Sequence, residues 1–145
     1  MTEIKIDENN LIAQLRAAFP EIEDRYQEEL RSWAEESPGN YNIVGFVFKP
    51  YLKQELAKGE INDFLQRFGA FLEKVCTSGN SEAINVVWLK LFKLLLAQPD
   101  KLKLLWPILG PATKANIEDA AARWGVIRNL PISGMLGAGC PRSPL

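Results

Sequence analysis

Between residues 61 and 76 the apolar side chains fall at Ile61, Phe64, Leu65, Phe68, Phe71, Leu72, Val75 and Cys76. Steps of three and four put them on one stripe of a helix, with Gln66, Arg67, Glu73 and Lys74 mainly on the other side. The period stops at Thr77-Ser78-Gly79-Asn80. Gly79 stands where a helix end favours positive φ. Asn80 or Ser81 is placed to accept from the first N–H groups of a following helix, and Glu82 suits its positive end. That helix carries Ile84, Val87, Trp88, Leu91, Phe92, Leu94, Leu95 and Leu96 on more than one face. Such a pattern places a helix in the middle of a bundle. Residues 60–96 therefore predict a helical hairpin around which the rest of the chain packs.

The flanking segments repeat the helical period less strongly. Asn9 and Asn10 are placed to cap a short helix with Leu11, Ile12, Leu15 and Phe19 as its apolar positions, which Pro20 ends or kinks. Residues 21–36 read as a polar helix with Ile22, Tyr26, Leu30 and Trp33 inward and Glu21, Glu23, Asp24, Glu28, Glu29, Glu35 and Glu36 outward. Residues 43–48, Ile-Val-Gly-Phe-Val-Phe, are strand-like, and Pro50 interrupts them. A helix entered from an extended run, with Pro50 in its first turn, is the preferred reading; a short strand competes with it. Asp100 is placed to cap a brief helix through Trp106, and Pro111 to open a last helix through Trp124. From residue 126 the chain turns rich in Gly and Pro and reads as an irregular tail. The expected fold is all-α: one bundle of about six helices over residues 1–125, with a tail at 126–145.

Composition fits that reading, with 47% hydrophobic and 24% charged residues in 145. The hairpin is too short, and too interrupted by Lys90 and Lys93, to span a membrane. The opening residues, Met1 to Lys5, are polar and mixed in charge, so no signal peptide and a cytoplasmic location are expected. Cys76 and Cys140 are expected to be free thiols. The net charge of −1 is unevenly spread: residues 1–40 hold ten acids and four bases, the remainder eight acids and thirteen bases. A polarity of this kind steers a partner toward one end of the molecule.

The chain has no histidine, which removes the usual general base and the commonest zinc ligand. No phosphate-cradling loop is present: Gly134, Gly137 and Gly139 lie in the tail, with neither a strand before them nor a helix after. No catalytic residue, metal ligand or cofactor is therefore expected. Lys90, Lys93, Lys101 and Lys103 cluster near Trp106, as a nucleic-acid site would. Their apolar neighbours favour lysines that extend from core helices, and nucleic acid is not the expected partner.

The hairpin resembles a known family. Phe71-Leu72-Glu73-Lys74, Ser78-Gly79-Asn80-Ser81-Glu82, Asn85-Val86-Val87 and Leu91 are similar to motifs of a family of small, uncharacterised helical bacterial proteins. The stretch 41–52 and Leu109-Gly110-Pro111 add to the likeness, which spans about residues 10–125. Members of this kind resemble immunity proteins found beside secreted toxins. The resemblance implies a non-enzymatic, cytoplasmic protein that occludes a cognate toxin; the alternative is a small enzyme or regulator with a ligand pocket between helices.

A nuclease toxin binds a polyanion through a basic cleft, which an inhibitor imitates with carboxylates on a rigid face. Glu21, Asp24, Glu28 and Glu35 recur at steps of three, four and seven and are the expected partner-binding residues.

Overall fold

The computed structural model describes residues 5–33 and 38–124. Among them are seven helices and no strand. Helix α1 is Leu11–Ala18; a 3₁₀ turn, Pro20–Ile22, leads into α2, Glu23–Ser32. Helix α3 is continuous over residues 40–57, α4 is Asp63–Cys76, and α5 is continuous over residues 81–96. Helix α6, Pro99–Leu105, runs into a 3₁₀ turn, and α7 is Pro111–Arg123. The all-α fold is as expected, with one helix more than about six.

The predicted hairpin is α4 and α5. Gly79 adopts φ 74°, and Asn80 Oδ1 accepts from Ala83 N at 2.8 Å, so the turn works as its residues imply. At the other end of α4, Asn62 Oδ1 accepts from Leu65 N at 3.0 Å. Helix α4 packs against α1, α3, α5 and α7, so the first helix of the hairpin is at least as central as the second.

The core gathers around phenylalanines from three elements. Phe19, just beyond α1, stands 4.8 Å from Phe48 of α3 and 4.9 Å from Phe64 of α4, ring centre to ring centre. Phe19, Phe48 and Phe68 are fully buried. Each such side chain contributes roughly 1.5–3 kcal/mol from removal of its surface from water.

Three expectations are corrected. First, residues 41–56 contain neither an extended run nor a strand. Ile43, Val44, Val47 and Phe48 are buried as two pairs four residues apart, which is helical burial. Strand propensity yields here to packing on two sides. Pro50 is tolerated because Val44–Phe48 is a π-turn: Lys49 N donates to Val44 O, five residues back, just ahead of the proline. A second π-turn, Trp88–Phe92, interrupts α5.

Second, the acidic helix is shorter than residues 21–36, because Pro20 first forces a 3₁₀ turn. Glu35 and Glu36 lie outside the described residues. Third, Asn10 and Asp100 do not cap through their side chains. Asn10 Oδ1 accepts instead from Asp7 N, and Pro99 already occupies the first turn of α6. The tail assigned to 126–145, with Cys140, lies outside the described residues.

Candidate functional site

The start of the acidic helix is held by two arginine forks. Arg16 of α1 donates from Nε to Glu23 Oε1 at 2.9 Å and from its terminal nitrogen to Oε2 at 2.6 Å. Its guanidinium also covers the Tyr26 ring at 4.2 Å. Arg67 of α4 donates to both oxygens of Glu21, at 2.9 and 2.7 Å, to Ala18 O at 2.8 Å, and to Asp63 at 2.8 Å. Bidentate pairs of this kind fix orientation as well as charge. Hydrogen bonds from Arg16 and then from Gln27 hold the Glu23 carboxyl down to about 2. Hydrogen bonding to Arg67 lowers that of Glu21. Further along, Glu29 accepts from the Trp33 indole at 2.8 Å.

The four expected contact residues are therefore unlike one another. Glu21 is committed to Arg67. Asp24 and Glu28 sit one helical turn apart, exposed, with no ion pair or hydrogen bond among the described residues. Glu35 lies outside the described residues. Arg25 and Arg31 are also exposed on α2, so its outer surface is predominantly rather than uniformly acidic.

The expected lysine cluster around Trp106 is divided. Lys90 runs toward Gly45 of α3, and Lys93 lies 6.0 Å from the Trp124 ring centre. The cation over Trp106 is Lys114, at 5.3 Å. Trp33, Trp88 and Trp124 are half-buried and Trp106 is buried. Trp88 Nε1 donates to Asn116 Oδ1 at 3.0 Å, and its ring meets Trp124 edge-on.

Among the described residues the exposed large hydrophobic ones are Phe46, 54% exposed, and Leu89, 41% exposed, one on each π-turn. Sequence reasoning did not single them out. A signal was available for Leu89, which stands outside the inward set of α5. Phe46 was hidden in a run read as apolar on both faces.

Concavities among the described residues include two that involve the helices named above. A groove of about 390 Å³ lies between α1 and α4, lined by Gln14, Ala17, Ala18, Arg67, Ala70, Phe71 and Lys74. Its Arg67 is already engaged by two carboxylates. A smaller hollow of about 200 Å³ is formed by Lys93, Leu96, Ala97 and Trp124. Among the described residues no three of Cys, Asp and Glu gather as metal ligands, and no helix is long and apolar enough to cross a membrane.

A domain of unknown function, DUF7674, matches residues 12–125. The chain belongs to that family. Neither a curated protein nor a solved structure matches the chain. The DUF7674 description assigns no activity and adds nothing to the likeness to immunity proteins.

The residues that carried the resemblance do structural work here. Glu73 accepts from Ala112 N at 3.1 Å, Thr113 N at 2.9 Å and Thr113 Oγ1 at 2.8 Å, capping α7 from α4. Asn85 Nδ2 donates to Tyr41 Oη at 2.6 Å, joining α5 to α3. Burial pushes the Glu73 carboxyl up, but the donors on Thr113 and Ala112 outweigh it and leave the carboxyl below its ordinary value.

Proposed function

We propose that the chain is a non-enzymatic protein-binding module, and that it acts in the cytoplasm as an immunity protein occluding a cognate toxin. One observation carries this reading. Along the 3₁₀ turn and α2, Glu21, Glu23 and Glu29 are locked by internal partners, while Asp24 and Glu28 project into solvent without one among the described residues. The locked carboxylates hold the helix still, and the projecting pair, beside the exposed Arg25 and Arg31, presents two unpaired carboxylates on a fixed rail. Rigid placement lowers the ordering cost of binding, and a basic cleft relieves the repulsion between the two carboxylates.

The alternative, a ligand-binding regulator, would use the groove between α1 and α4. That groove is open, and the charge of Arg67 within it is spent on Glu21 and Asp63.

The experiment is co-expression with the product of the adjacent gene. Under this reading that product arrests growth alone and is neutralised by the chain in a stable complex. A non-toxic neighbour, or toxicity that the chain leaves unchanged, contradicts the immunity role.

A further inference from the structure

The two π-turns meet through a lysine side chain. A Cβ built on Gly45 would stand 3.5, 3.6 and 3.7 Å from Cδ, Cε and Nζ of Lys90, so the lysine stem of α5 lies along the glycine of α3. Gly45, Lys49 and Lys53 follow one another at steps of four. Lys49 feels the charges of both Lys53 and Lys90, which groups the three lysines on the side of α3 that meets α5. Phe46 is next to Gly45. Leu89 is next to Lys90. Phe46 and Leu89, the exposed large hydrophobic residues among those described, thus each stand one position from the Gly45–Lys90 contact.

These lysines are crowded and lack counter-charges. Among the described residues Lys49, Lys53 and Lys90 form no ion pair. Lys49 is half-buried; its burial, then the charges of Lys53 and Lys90, make its ammonium easier to deprotonate than usual. Two exposed apolar side chains near grouped cations, Lys49 among them half-buried, form an amphipathic surface that no described residue covers. π-turns interrupt regular hydrogen bonding and recur at functional sites.

We propose that this face is a docking surface for an acidic amphipathic segment of a partner protein. Phe46 and Leu89 take its apolar residues, and Lys49, Lys53 and Lys90 take its carboxylates. The charge layout favours a short segment over an extended polyanion or an anionic bilayer. Helix α2, with Asp24 and Glu28 exposed, packs against the same π-turn of α3. A polyanion or charged membrane broad enough to cross from α3 onto α2 meets those carboxylates; a single helix confined to the lysines does not. The proposal shares the protein-binding reading above but does not depend on the acidic face of α2.

The test is fluorescence anisotropy with the full chain and a labelled synthetic helix, bearing Leu along one face and Glu beside it. A scrambled peptide of the same composition, phosphatidylserine vesicles and a single-stranded oligonucleotide are run in parallel. The designed helix should bind at least about tenfold more tightly than the scramble, a difference of about 1.4 kcal/mol. Lys49→Glu combined with Lys90→Glu, and separately Phe46→Ser, should each remove most of that advantage. Phe46→Ser keeps the test valid if the double reversal fails to fold, because it changes an exposed side chain. Equal binding of helix and scramble, or affinities indifferent to these substitutions, overturns the proposal. Preferential binding of vesicles or oligonucleotide also overturns it and reassigns the face. The probe is acidic, so it reports on the lysine face and leaves the toxin-binding reading to its own experiment.

Discussion

The carboxylate of Glu73 fills the place where a side chain on Gly110 would begin. A Cβ built on Gly110 collides with Cδ, Oε1 and Cγ of Glu73. Glu73 is a flexible side chain, but three donors from Ala112 and Thr113 tether it. Thr113 is fully buried, so displacing Glu73 strands its hydroxyl. Gly110→Ala should therefore lower stability by about 1–3 kcal/mol, the cost of unmaking buried polar contacts. Added to Glu73→Ala, it should cost little more. Urea melts of the four proteins in that cycle measure the coupling.

The same carboxylate makes stability depend on pH. Folding lowers its pKa from the ordinary value of 4.5. A lowered pKa contributes stability that is fully present above the unfolded value and lost as pH falls through the folded one. The gap in melting temperature between the native chain and Glu73→Gln should be widest near neutrality. It should narrow as pH drops below about 4.5. A gap unchanged from pH 7 to acid would show that the charge is not what caps α7.

Leu65, Phe68 and Leu91 are each at most 1% exposed. Truncating any of them to Ala should cost ~2–5 kcal/mol, from lost transfer energy and the cavity left behind. Chemical denaturation of each single variant checks this.

How legible the fold was depended on how local its cause is. The stripe of α4 and the Gly79-Asn80 turn are set by neighbours within a few residues, and both were readable. Residues 43–48 were misread because β-branched and aromatic side chains there are buried by other helices, a tertiary effect that local propensity does not contain. Glu73 looked like a residue of the solvent side of α4; its partners lie some forty positions away at Thr113. At the candidate site, the acidic face of α2 was visible in the spacing. That Glu21 and Glu23 are taken by Arg67 and Arg16 was not, since both pairings depend on how α1 and α4 approach the turn at Pro20.

Cys76 should be chemically silent in the folded protein. Its thiol is buried, and burial pushes its pKa up to about 12. The thiolate is the reactive form, so alkylation near pH 8 should be negligible without denaturant. In a Cys140→Ser variant, iodoacetamide labelling followed by mass spectrometry should find Cys76 modified only after unfolding.

Under the proposed function, Asp24 and Glu28 form the charged rail that meets a partner. The measurement is stopped-flow association of the Asp24→Lys/Glu28→Lys variant with the partner recovered in the co-expression experiment, at low and at physiological salt. Steering by exposed charge predicts an association rate lowered about tenfold or more at low salt, a smaller difference at high salt, and a nearly unchanged melting temperature. Equal association rates for variant and native chain at low salt would contradict the account and remove α2 from the interface.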